Sequence, residues 1–364
     1  MIEAVELRRV ALPLVVPFRT SFGTQTVRDA LLVRVLTPSG DGWGECVALA
    51  EPLYSAEFVD GAELVIGRHL VPRLWAVEHP GELAGALRAV KGHPMAKAAV
   101  ELAALDAWLR GTGKSLACHL GGVREAVDVG VSVGIAGSLG ELVDQVEGYV
   151  ADGYRRVKLK IEPGWDVAPV RAVRERHPDL PLQVDANGAY RLEDATALAA
   201  LDGFELLLIE QPLAEDDLRG HAELARRLAT PICLDESITS LGSAVEAIES
   251  GACAIVNIKA GRVGGYLEAT RIHDACVERS VPVWCGGMLE TGIGRAANVA
   301  LASLPGFTLP GDLSASSRYF HADLTAPFEL EEGRLRVPEG PGLGVDPRPE
   351  RLAELTTSVE LLRP

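Results

Sequence analysis

Residues 156–161 read Arg-Val-Lys-Leu-Lys-Ile, a short apolar run that carries lysines at 158 and 160. The same design, an apolar run that ends in a charged residue, returns at an interval of 24 or 25 residues. The charged residues of this ladder are Lys160, Asp185, Glu210, Asp235 and Lys259. The interval is about the length of a βα unit, so the ladder predicts successive parallel strands that each end in a charge.

The alternation of strands and helices extends on both sides of the ladder. A strand is predicted at 127–135 and a last one at 307–310, and counting the strand ends gives eight. Eight repeated βα units predict a closed barrel, in which the carboxyl ends of the strands form one ring around the active site. Charges at buried strand ends are costly unless they share a purpose. We therefore predict three carboxylates between two lysines in one polar mouth.

The two ends of the chain do not follow this rhythm. Alternating patterns at 5–15, 31–37 and 42–47 predict an antiparallel meander, and helical patterns follow at 57–75 and 94–111. Near the C-terminus, β character returns at 328–330 and 334–337. We expect this tail to pack back on the meander.

The predicted fold class is α/β, a modified (β/α)8 TIM barrel with an α+β capping domain formed by the N-terminal segment and the C-terminal tail. The expected boundaries are 1–122 for the capping domain, 123–317 for the barrel, and 318–364 for the returning tail.

Composition narrows the class of protein. The net charge of −16 argues against a nucleic-acid surface, which needs clustered lysine and arginine. No apolar run approaches the length of a membrane span, and the first residues lack a signal-peptide pattern. The six cysteines are scattered without a CxxC pair, which is typical of reduced thiols. We expect a cytoplasmic protein that binds a small molecule and neither nucleic acid nor membrane.

Three carboxylates of the ladder form a candidate metal site. Asp185, Glu210 and Asp235 follow three successive strands and offer only hard oxygen donors. That chemistry favours Mg²⁺, with Mn²⁺ or another divalent cation as a substitute, over Zn²⁺. The alternative is that one or two of them are helix N-caps, because each precedes a βα turn.

Lys158 and Lys160 are candidate bases. Residues two apart on a strand point to the same side, and two ammonium groups near a divalent cation lower each other's pKa. A lysine that is partly neutral can act as a general base. The alternative is a solvated pair on an edge strand, but the apolar Val157, Leu159 and Ile161 favour a buried strand.

Lys259 arrives from the opposite side of the ring. A second base across the metal lets a substrate lose a proton on one face and regain it on the other, or Lys259 can stabilise negative charge. The alternative is a surface lysine beside the glycine-rich loop 260–265.

Two glycine-rich turns and one serine motif remain. Backbone N–H groups in 286–295 and 311–316 can hold a substrate carboxylate, although tight turns alone explain the glycines equally well. Gly130-Val-Ser-Val-Gly134 matches the G-x-S-x-G elbow of serine hydrolases. The β-branched residues beside Ser132 instead predict a continuing strand, with Ser132 at the barrel mouth.

The chain resembles the muconate-cycloisomerase-like subgroup of the enolase superfamily over essentially its whole length. The matching motifs are Lys158-Leu-Lys160, Asp185-Ala-Asn187, Ile209-Glu-Gln-Pro212, Leu234-Asp-Glu-Ser237 and Asn257-Ile-Lys259. The resemblance implies that Lys160 and Lys259 are the acid/base pair and that Mg²⁺ is bound by the three ladder carboxylates. Lys158, Asn187 and Glu236 would support them.

A finer resemblance is to the o-succinylbenzoate synthase/N-acylamino acid racemase family. It is carried by Phe18-Arg-Thr-Ser-Phe-Gly-Thr-Gln25, Pro52-Leu-Tyr54, residues 158–167, residues 282–292 and Leu309-Pro-Gly-Asp312. It implies that cap-loop residues close the pocket, namely Phe18, Phe22 and Tyr54. It also implies that barrel residues contact the substrate, namely Ser132, Gly287, Met288 and Leu289.

The resemblance implies removal of a proton α to a carboxylate, which gives an enediolate held by Mg²⁺. The synthase reaction dehydrates 2-succinyl-6-hydroxy-2,4-cyclohexadiene-1-carboxylate to o-succinylbenzoate for menaquinone biosynthesis, with Lys160 as base and Lys259 mainly stabilising charge. The racemase reaction uses both lysines on an N-succinyl or other N-acyl amino acid. A homo-oligomer is expected by analogy and because closed symmetric assemblies are common.

Several alternatives stay open. Another muconate-cycloisomerase-like activity is possible, such as a dipeptide epimerase or a cycloisomerase. The last strand ends in Asp312-Leu-Ser, not the Asp-x-Asp that marks dipeptide epimerases, and the lack of a histidine at 281–287 disfavours the mandelate-racemase subgroup. A serine hydrolase using Ser132 and a non-catalytic metal-binding barrel are the other classes.

Overall fold

Long antiparallel strands open the chain, followed by a group of helices. The structure is a computed structural model and describes residues 2–364. The elements are β1 (Ala4–Thr20), β2 (Gly23–Leu36), β3 (Gly42–Cys46), α1 (Val59–Val65), a π-helical turn (Ile66–Leu70), α2 (Val71–Leu74), α3 (Pro80–Arg88), α4 (Pro94–Thr112) and α5 (Leu116–Leu120). All strands and helices predicted for this part are present. Helix α3 was not predicted, because Gly81 and Gly85 interrupt its apolar pattern.

Parallel strands and helices alternate through the middle of the chain. The elements are β4 (Ala126–Asp128), β5 (Val131–Val133), α6 (Leu139–Ala151), β6 (Val157–Lys160), α7 (Val167–Arg176), β7 (Leu182–Asp185), α8 (Ala195–Ala199), β8 (Ile209–Glu210), α9 (Leu218–Ala225), β9 (Ile232–Leu234), α10 (Leu241–Glu249), β10 (Ile255–Ile258), α11 (Ala260–Val263), α12 (Tyr266–Glu278), β11 (Val283–Cys285) and α13 (Gly292–Ala302). Short 3-10 helices flank α8 at Leu192–Asp194 and Ala200–Phe204. Another 3-10 helix, Ser316–Arg318, follows α13.

Seven of these strands form one parallel sheet in the order β11-β10-β9-β8-β7-β6-β5, which we call the barrel together with its helices. Lys160 pairs with Asp185 and Asp185 pairs with Glu210 in the register of this sheet. The charges of the ladder therefore stand side by side at the carboxyl edge, as the constant spacing predicted. No helix within residues 2–364 combines the length and the hydropathy that a membrane crossing requires.

The barrel is modified at its eighth position. The strand predicted at 307–310 is wrong: single parallel bridges from Val283 to Phe307 and from Val129 to Gly311 take its place. Pro310 interrupts this segment and has no N–H to donate to a ladder.

The strand predicted at 127–135 is divided into β4 and β5. Gly130 lies at the division, where a Cβ atom would approach Arg156 Cζ within 2.4 Å. The buried guanidinium of Arg156 therefore occupies the space that a continuous strand with a side chain at 130 would need.

The tail supplies the final elements, β12 (Arg334–Arg336), α14 (Pro349–Leu355) and β13 (Thr356–Leu362). Strand β12 pairs with β4, whereas β13 pairs antiparallel with β1 and completes the sheet β13-β1-β2-β3. The predicted return of the tail to the meander is confirmed. The strand predicted at 328–330 is not formed, and β13 was missed because most of its side chains are exposed and give no alternation. We call this sheet with α1–α5 the cap.

The buried Glu101 connects the cap to the barrel. Glu101 of α4 is buried, and its carboxylate accepts a hydrogen bond of 3.1 Å from the N–H of Leu267 in the first turn of α12. A carboxylate at a helix N-terminus is favoured by the helix dipole. Gly265 leaves room for it, since a Cβ there would approach Glu101 Oε1 within 2.2 Å.

This buried carboxylate predicts a pH-dependent stability. Burial raises the pKa of Glu101 from 4.5 to about 7, against the opposing N–H groups of Leu267 and Tyr266 and with a further rise from Glu268. Between these pH values the folded protein holds more protons than the unfolded chain, so stability falls as the pH rises through this window. The wild-type free energy of unfolding should therefore fall by on the order of 3 kcal/mol across this window. We expect Glu101→Gln to remove this fall, because a glutamine does not titrate. Urea unfolding of wild type and variant at pH 5 and pH 8 measures the free energies of unfolding. An equal decrease from pH 5 to pH 8 in both proteins would contradict the raised pKa of Glu101.

Candidate active site

A pocket lies at the carboxyl edge of the barrel strands and is closed by loops of the cap. Eleven of the predicted site residues line it: Phe18, Phe22, Tyr54, Ser132, Lys158, Lys160, Asn187, Lys259, Gly287, Met288 and Leu289. Sequence reasoning did not assign a role to five further lining residues, Thr20, Gln25, Leu49, Asp312 and Tyr319. The pocket thus joins side chains from the first 60 residues to side chains near residue 320.

Lys160 lies at the end of β6 between two oxygen acceptors. Its Nζ donates to Asp185 Oδ2 at 2.7 Å and to Asn187 Oδ1 at 2.6 Å. Asn187 in turn donates from its backbone to Asp185 Oδ1 at 3.0 Å and from Nδ2 to Glu236 Oε1 at 2.8 Å. Asn187 and Glu236 are therefore placed to orient the ammonium group of Lys160.

Lys158 is surrounded by carboxylates beneath Lys160. Its Nζ lies 2.6 Å from Asp312, 2.8 Å from Glu210 and 3.0 Å from Asp185, and 4.9 Å from the centre of the Trp284 ring. Burial opposes the charge of Lys158, but these three carboxylates outweigh it and hold its pKa well above the usual value.

The expectation that the two neighbouring lysines lower each other's pKa is therefore wrong for Lys158. The physical reason is that Lys158 contacts Asp312, a residue that lies far from it in the sequence and near it in the fold. The structure favours a permanently charged Lys158 that balances carboxylates.

Lys259 is buried on the other side of the site. Its Nζ donates to Asp235 Oδ2 at 2.8 Å and to Tyr54 Oη at 3.0 Å, and lies 3.6 Å from Met288 Sδ. Burial opposes its charge, but Asp235 outweighs this and raises the pKa of Lys259. A surface position for this lysine is excluded.

Arg262 belongs to the segment 260–265 that the sequence predicts as a glycine-rich loop, but it lies in α11, one helical turn after Lys259, and is buried. It hydrogen-bonds Asp235 and donates to the carbonyl of Ile238 at 2.7 Å. The i, i+3 spacing from Lys259 is the only sequence signal for it. Asp235 thus bridges two cations, which hold its pKa below the usual value although burial alone would raise it.

Gln211 fixes the strand end that carries Asp235. Its Oε1 accepts from the N–H groups of Asp235 at 3.0 Å and Ser237 at 3.2 Å, and its backbone adopts a left-handed φ of 37°. A buried amide with both ends bonded specifies one conformation of the segment.

The ladder carboxylates fit a divalent cation by donor type and charge. None of Asp185, Glu210 and Asp235 is a helix N-cap, since the helices that follow them begin after Arg191, Asp194, Asp217 and Ser240. All three instead face lysines at the pocket floor. Within residues 2–364 no three Asp, Glu, His or Cys side chains already converge as a metal cage.

Negative charge in this cluster is only partly balanced. Burial, with the charge of Asp185, raises the pKa of Glu210 to about 8 in spite of Lys158. Burial and the charge of Asp235 raise the pKa of Glu236 to about 7, and its Oε2 is buried without a hydrogen-bond partner. An additional positive charge at this place would relieve both effects.

Asp312 neutralises two cations under the pocket. It accepts from Arg156 at 2.6 Å and pairs with Lys158, and all three side chains are buried. Burial alone would raise the pKa of Asp312, but Lys158 and Arg156 hold it below the usual value. Asp312 ends the motif Leu309-Pro-Gly-Asp312, but the motif does not reveal its partners, because Arg156 and Lys158 are remote in the sequence.

Ser132 lies inside β5 and pairs in register with Lys158. The sharp strand-to-helix turn of a nucleophile elbow is absent at this position. Its buried Oγ has no hydrogen-bond partner. The serine-hydrolase alternative therefore fails on geometry.

The backbone amides expected to hold a substrate carboxylate are partly occupied. The N–H groups of Thr291 and Gly294 donate to Glu45 at 3.1 and 3.0 Å, and that of Gly292 donates to Asp323 at 2.9 Å. Protein carboxylates already bind the N-terminus of α13. The expectation that these N–H groups hold a substrate carboxylate is therefore wrong for residues 291, 292 and 294.

Comparison with known proteins finds one family at both ends of the chain. Residues 2–121 match the mandelate racemase/muconate lactonizing enzyme N-terminal domain, and residues 141–351 match the enolase C-terminal domain-like family. An N-succinylamino acid racemase from an Amycolatopsis species is 62% identical over 360 residues, covering 98% of both chains. An o-succinylbenzoate synthase from Geobacillus kaustophilus is 50% identical over 349 residues, covering 95% of this chain and 93% of that protein.

A crystal structure of an enolase-superfamily member from Listeria innocua superposes with a TM-score of 0.95 at 41% identity. It covers 100% of this chain and 99% of that chain.

The charge balance predicts that Lys158 is needed for folding stability. Lys158→Met keeps much of the volume but removes the buried positive charge that Asp312, Glu210 and Asp185 share, which costs about 3–5 kcal/mol. Urea unfolding at neutral pH measures the loss. Lys97→Met is the control, because Lys97 donates only to the carbonyl of Val90. Equal stability of the Lys158 variant and wild type would refute the balance described here.

Proposed function

The chain belongs to the mandelate racemase/muconate lactonizing enzyme family of the enolase superfamily, and we propose that it removes the proton α to a carboxylate with the help of Mg²⁺. As an o-succinylbenzoate synthase it dehydrates 2-succinyl-6-hydroxy-2,4-cyclohexadiene-1-carboxylate, a step of menaquinone biosynthesis. As a racemase it interconverts N-succinyl or other N-acyl amino acids. The names of the relatives at 62% and 50% identity support both reactions.

One observation carries the proposal: two buried lysines line the same pocket from opposite sides of the carboxylate cluster. Lys160 ends β6 and Lys259 follows β10, with strands β7, β8 and β9 between them. A substrate between them has one amine on each side. This is the arrangement that exchange of a proton between two faces requires.

The racemase reaction uses both amines. The unprotonated Nζ of one lysine takes the α-proton from one enantiomer, and the ammonium group of the other returns a proton to the opposite face. Asn187 and Tyr54 hold the two Nζ atoms in place through the bonds of 2.6 and 3.0 Å. Positioned groups of this kind contribute about 10²–10⁴-fold to the rate.

The synthase reaction uses Lys160 as the base. Lys160 takes the proton from the ring carbon that carries the carboxylate, the ring C–O bond breaks, and the hydroxyl leaves as water with the proton that Lys160 returns to it. The ring becomes aromatic and Lys160 is neutral again. Lys259 remains charged and stabilises the negative charge that develops on the substrate. Both substrates share a carboxylate and a succinyl arm, so one pocket serves both.

Asp185, Glu210 and Asp235 would hold the metal, and Mn²⁺ or another divalent cation can substitute for Mg²⁺. Enzymes of this superfamily depend on a divalent metal. When bound, Mg²⁺ supplies positive charge that lowers the free energy of the negative charge developing on the substrate carboxylate.

The proposal also covers the setting of the enzyme. All six cysteines are free and five are buried, which fits a reducing compartment such as the cytoplasm. A closed symmetric homo-oligomer is proposed because such assemblies predominate among soluble enzymes.

The role of Lys160 predicts a loss of both activities. Lys160→Ala removes the base, so we expect turnover of the cyclohexadiene substrate and of N-succinyl-L-phenylalanine to fall by at least about 10³-fold. Circular dichroism should show unchanged secondary structure. Lys97→Ala is the matched control and should keep full turnover. Retention of either activity in the Lys160 variant would remove Lys160 from that reaction.

A shared pocket predicts competition between the two reactions. o-Succinylbenzoate, the synthase product, should raise the KM for racemisation of N-succinyl-L-phenylalanine and leave kcat unchanged. Initial rates over a matrix of both concentrations measure this. Inhibition that lowers kcat without changing KM would place the two ligands in separate sites.

A further inference from the structure

Glu45, on β3 of the cap, reaches across to the barrel. Its side chain is fully buried, and its carboxylate accepts hydrogen bonds from the Oγ of Thr291 at 2.7 Å and from the N–H groups of Thr291 at 3.1 Å and Gly294 at 3.0 Å. Thr291 caps α13, an 11-residue helix. The carboxylate therefore lies at the positive end of the helix dipole.

The residues directly before Thr291 line the pocket. Gly287, Met288 and Leu289 line the same pocket as the lysines, and Leu289 adopts a φ of 58°, in the left-handed region that a leucine rarely adopts. Met288 also packs in the apolar core of the cap. A strained loop of this kind keeps its shape only when the surrounding structure holds it.

Residues of both the barrel and the cap make room for the buried carboxylate of Glu45 and balance its charge. Gly294 allows the close approach, since a Cβ there would lie 2.7 Å from Glu290 Cγ and 3.0 Å from Glu45 Oε2. On the cap side, the buried Arg28 lies 3.9 Å from Glu45 Oε1 and donates to the carbonyls of Ala48 and Cys46 at 3.0 and 3.1 Å. The buried carboxylate thus has a cation and three donors.

We propose that Glu45 is a positioning residue for the reaction. By holding Thr291 and Gly294 from the cap, it fixes the backbone of residues 287–289 against the substrate. The inference rests on the proposed function, which places the substrate beside these residues. Substrate binding then depends on the contact between cap and barrel, whereas proton transfer at Lys160 depends on it much less.

Glu45→Gln tests the role, because it keeps the size of the side chain and turns an NH₂ group toward the donors. We expect the KM for both proposed substrates to rise by at least about tenfold, in line with the loss of charge-assisted hydrogen bonds, and kcat to change by less than about threefold. Amide hydrogen exchange at residues 287–294 should accelerate by at least about tenfold.

Asp202→Asn is the matched control. Asp202 accepts from the N–H groups of Ala229 and Thr230 at 3.0 and 2.8 Å and from Thr230 Oγ at 2.7 Å, which repeats the bonds of Glu45 at the end of the barrel where strand β9 begins. It should leave the KM and the exchange at 287–294 unchanged. If both variants changed the KM and the exchange at 287–294 equally, Glu45 would contribute only to overall stability, and the proposal would be overturned.

A second pair of variants keeps the test decisive if Glu45→Gln does not fold. Thr291→Val removes the Oγ–H donor to Glu45 together with the cap that Oγ forms by accepting from the N–H of Ile293, and should raise KM in the same direction. Thr291→Ser keeps both interactions and should restore the KM. Unchanged KM in Thr291→Val would overturn the proposal. If wild type turns over neither substrate, the proposed function fails, while unchanged exchange at 287–294 in Glu45→Gln would separately overturn the role of Glu45.

Discussion

The burial of opposite charges at the mouth of the barrel is the constraint on which the rest of the structure depends. An isolated buried charge is prohibitively costly, whereas a network that pairs every member is tolerated. Lys158 contacts three carboxylates, and Asp235 lies between Lys259 and Arg262. These contacts account for the charged residues that end β6, β7 and β8 and that directly follow β9 and β10.

The cap completes the site that the barrel begins. Tyr54 contacts Lys259 from a cap loop, and Phe18 and Phe22 line the same pocket. Glu101 contacts the N-terminus of α12, the second helix after Lys259, and Glu45 contacts the N-terminus of α13, the helix that follows the pocket residues 287–289. Cap and barrel therefore share the positioning of the residues that line the pocket, and neither part alone contains a whole pocket.

Much of the fold was predictable because its signals are local. The 24- or 25-residue spacing placed the ladder on adjacent parallel strands, and the register of Lys160, Asp185 and Glu210 follows from it. Together with the family resemblance, the sequence motifs also named eleven of the residues that line the pocket. The assigned roles of those residues, and of the three carboxylates as metal ligands, stay predictions.

What the sequence could not predict depends on contacts between distant residues. Asp312, with Glu210 and Asp185, raises the pKa of Lys158 against the effect of burial, and Glu45 is held by Thr291 and Gly294. The eighth strand was assigned from an apolar run, although Pro310 cannot join a ladder. Strand β13 has no apolar alternation and is defined only by its pairing with β1.

The most direct test of the central claim, metal-dependent removal of an α-proton, is deuterium exchange. Proton NMR follows the α-hydrogen of N-succinyl-L-phenylalanine in D₂O with the wild-type protein, first in Mg²⁺, then in EDTA, then with Mg²⁺ restored. The account predicts loss of the α-proton signal in Mg²⁺, its persistence in EDTA, and renewed loss after Mg²⁺ is returned. Exchange that continues unchanged in EDTA, or no exchange at saturating Mg²⁺, would contradict it.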